Sequence, residues 1–387
     1  MSFLEKYISR PWLALLRAVV AGLNVGVAMT TVFSAYGGSI DPAECVLASL
    51  AAMALPIVLI VGAVLLVIDL LLWRKAALTI TTGWLLSAPP VLAFAPVNLP
   101  AGKLSESEKE RSFTFMTYNT LHFMDFRGEV EGLKSNATID FILDEDADIV
   151  SMQETEMIKE WPLQHITSEQ LRELAKRYPH RAVGVQDQFT VLSKYPFTCD
   201  RIQVPYEFSS VVSFYRISMH GRVVHLANCH LCSIGLEPGD KALYESLLKK
   251  PALSSKKLDR EVHAVKNRLV SKLANAFVTR KAQAEYIRHC MDSIGGTWIV
   301  AGDFNDIPAC YAVRTIMDGD MHDAYADCAF GPTITYHGNK FYFRIDQMLY
   351  SGELKAVGIK RPKIPSSDHY PLVGTFIITG DDDNDDE

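Results

Sequence analysis

Two hydrophobic patterns divide the chain near residue 100. Up to Pro100 apolar residues run almost unbroken in three stretches, about Trp12 to Tyr36, Val46 to Trp73 and Ala76 to Val97. Each is long enough to cross roughly 30 Å of hydrocarbon as a helix. Residues 1–100 are therefore predicted to be a membrane anchor of three transmembrane helices that meets the lipid bilayer through residues 12–97. A cleaved signal peptide would account only for the first run, whose apolar stretch is too long for a typical signal sequence. Pro56, Pro89 and Pro90 are expected to kink their helices. Of the polar residues inside these runs, Asn24 and Asp69, Asp69 lies close to Arg74 and Lys75 and is expected to snorkel or pair there.

Beyond a polar linker at 101–111 the pattern changes to short alternating runs. Phe113 to Tyr118 alternates as a strand should. Further strands are predicted at Asp148 to Met152, Phe189 to Ser193, Val211 to Met219, Val223 to Cys229, Thr297 to Ala301, Tyr342 to Tyr350 and Leu372 to Ile378. Thr138 to Glu145 and Ser168 to Arg177 have helical composition, and Leu258 to Met291 contains neither Pro nor Gly. So many strands mixed with helices predict an α/β domain, residues 112–379, of layered sheets with outer helices.

Charge separates the same two parts. Residues 1–100 carry five Lys/Arg and four Asp/Glu, leaving 33 basic and 41 acidic residues for the rest. Six of those acids sit in the tail 380–387, which is expected to be disordered. The remainder of the domain is close to neutral, so no domain-wide field attracts a polyanion. The seven cysteines form no regular framework. Lys6, Arg10 and Arg17 begin the chain and Arg74 and Lys75 fill the second connection, whereas Gly37 to Glu44 has no Lys or Arg. Positive residues favour the cytoplasmic side. The chain is thus expected to be multi-pass in the cytoplasmic membrane, with everything after Val97 on the extracytoplasmic side.

Polar residues recur where the predicted strands end, the place from which a rigid scaffold aims side chains into a shared cleft. They are Tyr118-Asn119, Gln153-Glu154, Asn228-Cys229-His230-Leu231, Gly302-Asp303-Phe304-Asn305 and Ser367-Asp368-His369-Tyr370-Pro371, with Arg344-Ile345-Asp346 beside them. Carboxylates, amides and imidazoles in this mixture suit a hard, oxygen-preferring cation and a phosphate. Mg²⁺ fits, with Mn²⁺ or Ca²⁺ as alternatives, whereas a zinc cage would want more His or Cys at short spacing.

With Leu192-Ser193-Lys194-Tyr195-Pro196 and Thr335-Tyr336 also in order, the sequence from Ser112 to Ile378 resembles the endonuclease/exonuclease/phosphatase family. That family includes pancreatic-type deoxyribonucleases, abasic-site endonucleases, neutral sphingomyelinases and inositol polyphosphate phosphatases. The resemblance implies a four-layer sandwich, two packed and mainly antiparallel sheets flanked by helices. It also implies divalent-metal-dependent phosphoester hydrolysis. Carried over residue by residue, it makes Glu154 the principal metal ligand, with Asn119 beside it and Asp368 completing the metal side. Asp303 would orient or deprotonate the attacking water and Asn305 would bind phosphate. His369 would contact a phosphoryl oxygen or act as acid/base, polarised by Asp346, and His230 matches the other catalytic histidine. Leu121 stands where some nuclease branches carry an acid, and Phe189-Thr190 replaces a small-residue pair. Both departures concern the shape of the cleft.

Taken singly, each motif has a plainer structural explanation: Asp-Phe-Asn as a turn, Ser-Asp-His-Tyr-Pro as a loop. Asp306, Glu156 and His122 lie near the motifs and read as supporting or surface groups. Cys229 and Cys232 bracket His230 with a spacing that invites zinc or redox chemistry. Strand alternation, however, sends Cys229 to the core if His230 faces the cleft. Lys241 to Lys281 contains 11 Lys/Arg and 3 Asp/Glu in a helical composition. It is either an arm for nucleic-acid phosphates or anionic lipid headgroups, or a solvated helix face.

The functional expectation is a phosphodiesterase acting outside the cytoplasm. Its phosphoester substrate could be nucleic acid, a phospholipid or sphingolipid headgroup, or a small phosphate ester. The other class is a non-catalytic membrane-anchored binding module on the same fold. No feature points to a protein partner.

Overall fold

A computed structural model describes residues 10–99, 102–126, 135–155, 166–185, 188–199, 205, 208, 210–235, 256–338 and 342–379. The acidic tail, Glu156, and the first part of the basic insert up to residue 255 lie outside the described residues.

The amino-terminal segment forms α1 (Arg10–Tyr36), α2 (Val46–Met53), α3 (Leu55–Leu72), α4 (Ala77–Leu86) and α5 (Ala88–Phe94). Only the first expected span is one continuous helix, 29 residues over Pro11–Ser39. The second and third are bent pairs, α2 with α3 at 55° and α4 with α5 at 86°, so three crossings form only if each bent pair is one span. The breaks fall where the prolines stand. Pro occupies the first turn of both α3 and α5; without an N–H it cannot continue the preceding helix's ladder, but it starts a new helix readily. Asp69 also departs from expectation. It is buried and accepts from Asn24 Nδ2 at 2.6 Å, so the two polar residues pair between α1 and α3 rather than Asp69 reaching Arg74 and Lys75.

The remainder begins with α6 (Glu106–Glu110), closed at its start by a Ser105/Glu108 capping box. Its strands in chain order are β1 (Ser112–Asn119), β2 (Ile149–Gln153), β3 (His180–Val185), β4 (Phe189–Ser193), β5 (Phe197–Cys199), β6 (Val212–Met219), β7 (Arg222–His230), β8 (Thr297–Asp303), β9 (His322–Asp323), β10 (Asp346–Ser351), β11 (Leu354–Lys360) and β12 (Leu372–Ile378). One six-stranded sheet runs β11-β12-β1-β2-β4-β3 and the other β5-β6-β7-β8-β10-β9. Each holds one parallel pair, β1 with β2 and β7 with β8, among antiparallel neighbours. The expected strand from Tyr342 shortens to Asp346 at its start. The short strands β3, β5, β9 and β11, too brief or too polar to stand out in the sequence, complete the sheets.

Alternation along the strands separates three apolar layers. Phe113 and Phe115 of β1 meet Ile299 and Ala301 of β8 between the sheets. The opposite faces carry Met116 and Tyr118 to α7 (Ala137–Glu145) and α8 (Ser168–Arg177), and Trp298 and Val300 to α9 (Lys256–Ile294) and α10 (Tyr311–Ile316). The result is helix, sheet, sheet, helix. A final short helix, α11 (Ala324–Cys328), packs beside β10 and β11.

A fourth apolar cluster joins the two parts of the chain. Ala35, Ala52, Leu55 and Leu59 of the amino-terminal helices pack with Ile307, Ala309 and Cys310, and Phe94, Phe343 and Ile345 flank them. At Gly38 a Cβ would come within 1.9 Å of Ala309 O, so only glycine permits this approach. Lys281 is ion-paired with Asp41, and Arg344 Nη2 donates to Ala93 O at 3.2 Å.

Candidate functional site

Asn119, Gln153, His230 and Asp303 are the last residues of β1, β2, β7 and β8, and Asp346 is the first of the antiparallel β10. Stacking the sheets brings these ends together. Glu154 follows β2 and Asn305 follows β8, both with positive φ, 54° and 50°. Such backbone costs an ordinary residue about 1 kcal/mol or more and concentrates at functional sites. Gly302 has φ 140°, and a Cβ there would meet Cys229 O at 2.0 Å, so β8 can lie against β7 only with glycine at this position.

Asp303 is the centre. Its Oδ1 accepts from Asn305 N at 2.8 Å and fixes the following turn. Its Oδ2 accepts from Asn119 Nδ2 at 3.1 Å and faces two imidazoles, His369 Nε2 at 3.6 Å and His230 Nε2 at 3.8 Å. Burial pushes the Asp303 carboxyl up, His369 pulls it back and Asp346 pushes it up again. His369 Nδ1 lies 2.9 Å from Asp346 Oδ2, and His369 N donates to Ser367 Oγ at 3.1 Å. Burial disfavours a charged imidazole at His369, but Asp346 and then Asp303 outweigh it and lift its pKa to about 10. Thr335 Oγ1 accepts from both Ile345 N and Asp346 N, each at 3.0 Å, which fixes the aspartate that holds His369.

Glu154 Oε1 accepts from Asn119 Nδ2 at 3.0 Å and lies 3.7 Å from His230 Nε2. Asn119 thus presents its amide nitrogen to two carboxylates, while its Oδ1 accepts from Leu121 N at 3.2 Å. Asn305 Nδ2 donates to Leu231 O at 3.0 Å. Asp368 is half-buried; burial raises its pKa, His369 lowers it and Glu154 raises it again. Two trios offer ligand atoms mutually within 4.8 Å, Glu154 with His230 and Asp303, and Asp303 with Asp346 and His369. Asp368 belongs to neither trio. Four carboxylates converge on one cleft with imidazoles as their nearest cationic partners, a donor set that a divalent cation would neutralise.

Other residues build the site without standing out in the sequence. Gln188 Oε1 accepts from His230 Nδ1 at 2.6 Å, which leaves Nε2 turned toward Glu154 and Asp303, and Gln188 Nε2 donates to Ser210 O. Gln153 Nε2 donates to Asn228 Oδ1 at 2.7 Å and Asn228 Nδ2 to Met152 O at 3.0 Å, tying the sheets beneath the cleft. His122, read above as peripheral, has Nε2 3.4 Å from Glu154 Oε2 and its backbone N donates to Glu154 O at 2.9 Å. Its only signal was proximity to the Asn119 motif. Cys229 lies in the core and Cys232 donates to Ser233 O. Asp306 is buried against Arg280, 3.2 Å away.

Residues 116–369 match the family described as Endonuclease/Exonuclease/phosphatase family. Residues 17–94 match a Domain of unknown function (DUF8431). No curated protein matches the chain. Among solved structures, an endonuclease/exonuclease/phosphatase from Beutenbergia cavernae is similar at 18% identity and TM-score 0.46, over 70% of this chain and 72% of that one. An AP endonuclease from Archaeoglobus fulgidus is similar at 14% identity and TM-score 0.43, over 68% and 98%. Truncated TDP2 from Caenorhabditis elegans is similar at 16% identity and TM-score 0.40, over 69% and 98%.

Proposed function

The chain belongs to the endonuclease/exonuclease/phosphatase family, and from that premise we propose that it is a divalent-metal-dependent phosphodiesterase, anchored in the cytoplasmic membrane with its site on the extracytoplasmic side. The observation that carries the reading is Asp303 Oδ2, which faces two imidazoles and the Asn119 amide in one buried cleft.

In-line hydrolysis joins a water oxygen to phosphorus, breaks one ester P–O bond, and delivers a proton to the leaving oxygen. Asp303 accepts or orients the proton of the attacking water. His369, kept protonated by Asp346, donates to a non-bridging phosphoryl oxygen. Asn305 supplies an amide donor, Asn119 holds Glu154 and Asp303 together through its own amide, and His230, oriented by Gln188, serves the opposite flank. Glu154, with Asp303 and His230, would hold the cation, Mg²⁺ or alternatively Mn²⁺ or Ca²⁺, and Asp368 stands nearby as a further carboxylate. When bound, the cation neutralises charge on the phosphate.

The membrane placement is supported by the two ends of the helical segment. Arg17 Cζ lies 5.9 Å from the Trp73 ring centroid, which brings Arg17 to the end where the Arg74-Lys75 connection lies. The connection 37–44 and the exit at Phe94–Val97 lie at the other, against the folded domain. Positive-inside orientation then puts the domain outside.

The test is full-length protein in detergent micelles with bis(p-nitrophenyl) phosphate and Mg²⁺, Mn²⁺ or Ca²⁺. Turnover that survives both chelation and Asp303→Ala would overturn the mechanism. A reporter fused at Gly380 that is active only in the cytoplasm would overturn the orientation.

A further inference from the structure

All site residues occupy one end of the sandwich, and that same end is the one packed on the amino-terminal helices. Ile307, Ala309 and Cys310 leave β8 directly after Asp303 and Asn305; Phe343 and Ile345 lead into β10 directly before Asp346. These five residues share one apolar cluster with Ala35, Leu55, Leu59 and Phe94. The cleft is therefore held at the ends of the membrane helices, and the Arg344 bond to Ala93 O and the Lys281 pair with Asp41 prevent the domain from swinging away.

The loops at this end carry exposed apolar side chains. Met124 in the loop after β1 is 55% exposed and Tyr342 before β10 is 58% exposed. Phe330 and Val97, which bridge to each other where the chain leaves α5, are 72% and 70% exposed. Exposed apolar side chains at the end that packs on α1 to α5 are placed to enter the interfacial region of a bilayer, where an apolar side chain is favoured. Among the described cations of the basic insert, Arg280 is committed to Asp306, Lys281 to Asp41, and Lys272 to Gly235 O.

We infer that the substrate is a membrane lipid, whose phosphoester enters the cleft from the headgroup layer while its acyl chains remain in the bilayer. The inference rests on the hydrolase reading above and narrows its substrate. Water adds at the headgroup phosphorus, one P–O ester bond breaks, and the leaving oxygen takes the proton, so a lipid and a polar headgroup product separate at the surface.

The experiment uses the full chain reconstituted in vesicles of phosphatidylcholine, phosphatidylglycerol and sphingomyelin, with Mg²⁺, and separately offers a single-stranded oligonucleotide and bis(p-nitrophenyl) phosphate. Asp303-dependent release of a headgroup product is expected, and the three lipids identify the preferred backbone and headgroup. Met124→Asp with Tyr342→Asp is expected to lower lipid turnover by about tenfold or more and leave bis(p-nitrophenyl) phosphate turnover unchanged. A photo-crosslinker, p-benzoylphenylalanine, in place of Tyr342 is expected to form lipid adducts. Cleavage of the oligonucleotide with every lipid intact would overturn the inference, as would equal lipid turnover in the Met124/Tyr342 variant. Absence of Asp303-dependent turnover of bis(p-nitrophenyl) phosphate would instead remove the hydrolase reading, and the inference with it.

Discussion

Gln153 and Asn228 join the two sheets directly beneath the cleft, Gln153 Nε2 donating to Asn228 Oδ1 at 2.7 Å. Both are buried, so neither can exchange its partner for water. Asn228→Ala is expected to cost roughly 1–3 kcal/mol, because the Gln153 amide keeps only its bond to Thr117 Oγ1. Urea denaturation of the single variants and of the Gln153→Ala/Asn228→Ala pair measures the coupling. Strictly additive effects would show that the clasp contributes nothing.

Gly302→Ala should be among the most damaging single-methyl additions in the chain. The new Cβ meets the Cys229 carbonyl, and φ 140° is unfavourable for any side chain. A loss of roughly 2–5 kcal/mol is expected, with turnover falling because Asp303 moves. Thermal unfolding checks the first and kcat the second.

His369 gives a pH signature in chelated protein. Its folded pKa of about 10 lies above the ordinary 6.5. The stability it contributes is therefore full below pH 6.5 and is lost as pH rises through 10. Midpoint temperatures between pH 6.5 and 10 should fall for the natural sequence and fall less for His369→Asn. Parallel curves would exclude the Asp346 and Asp303 fields as the cause.

Metal should stabilise as well as activate. At a cation concentration 100 times Kd, binding to the folded state alone adds about 2.7 kcal/mol. Mg²⁺ is expected to raise the melting temperature of the natural sequence and not that of Glu154→Gln with Asp303→Asn. An equal rise in the variant would place the cation elsewhere.

Arg344 links Asp323, at 2.6 Å, to the Ala93 carbonyl of the amino-terminal helices, two residues before Asp346. Arg344→Met leaves the buried Asp323 carboxylate without its cation, a loss of roughly 3–5 kcal/mol. Chemical denaturation in micelles measures it, and a change under 1 kcal/mol would show that the pair is dispensable.

The sequence by itself determined the features that repeat locally. Apolar run length divided the amino-terminal helices from the α/β domain, and two-residue alternation located β4 and β12 to the residue. Strand endings identified Asn119, Glu154, His230, Asp303 and His369 as the polar set. Tertiary structure decided which of these meet. Gln188 is 42 residues from His230, and Gln153 is 75 from Asn228; no local period encodes such partners, because they exist only after two sheets stack. The breaks at Ala54 and Ser87 follow from Pro56, Pro89 and Pro90, but the burial of Asp69 against Asn24 depends on how helices cross. Hydropathy records how apolar a segment is; which end of the sandwich rests on it is set by the shapes that pack there.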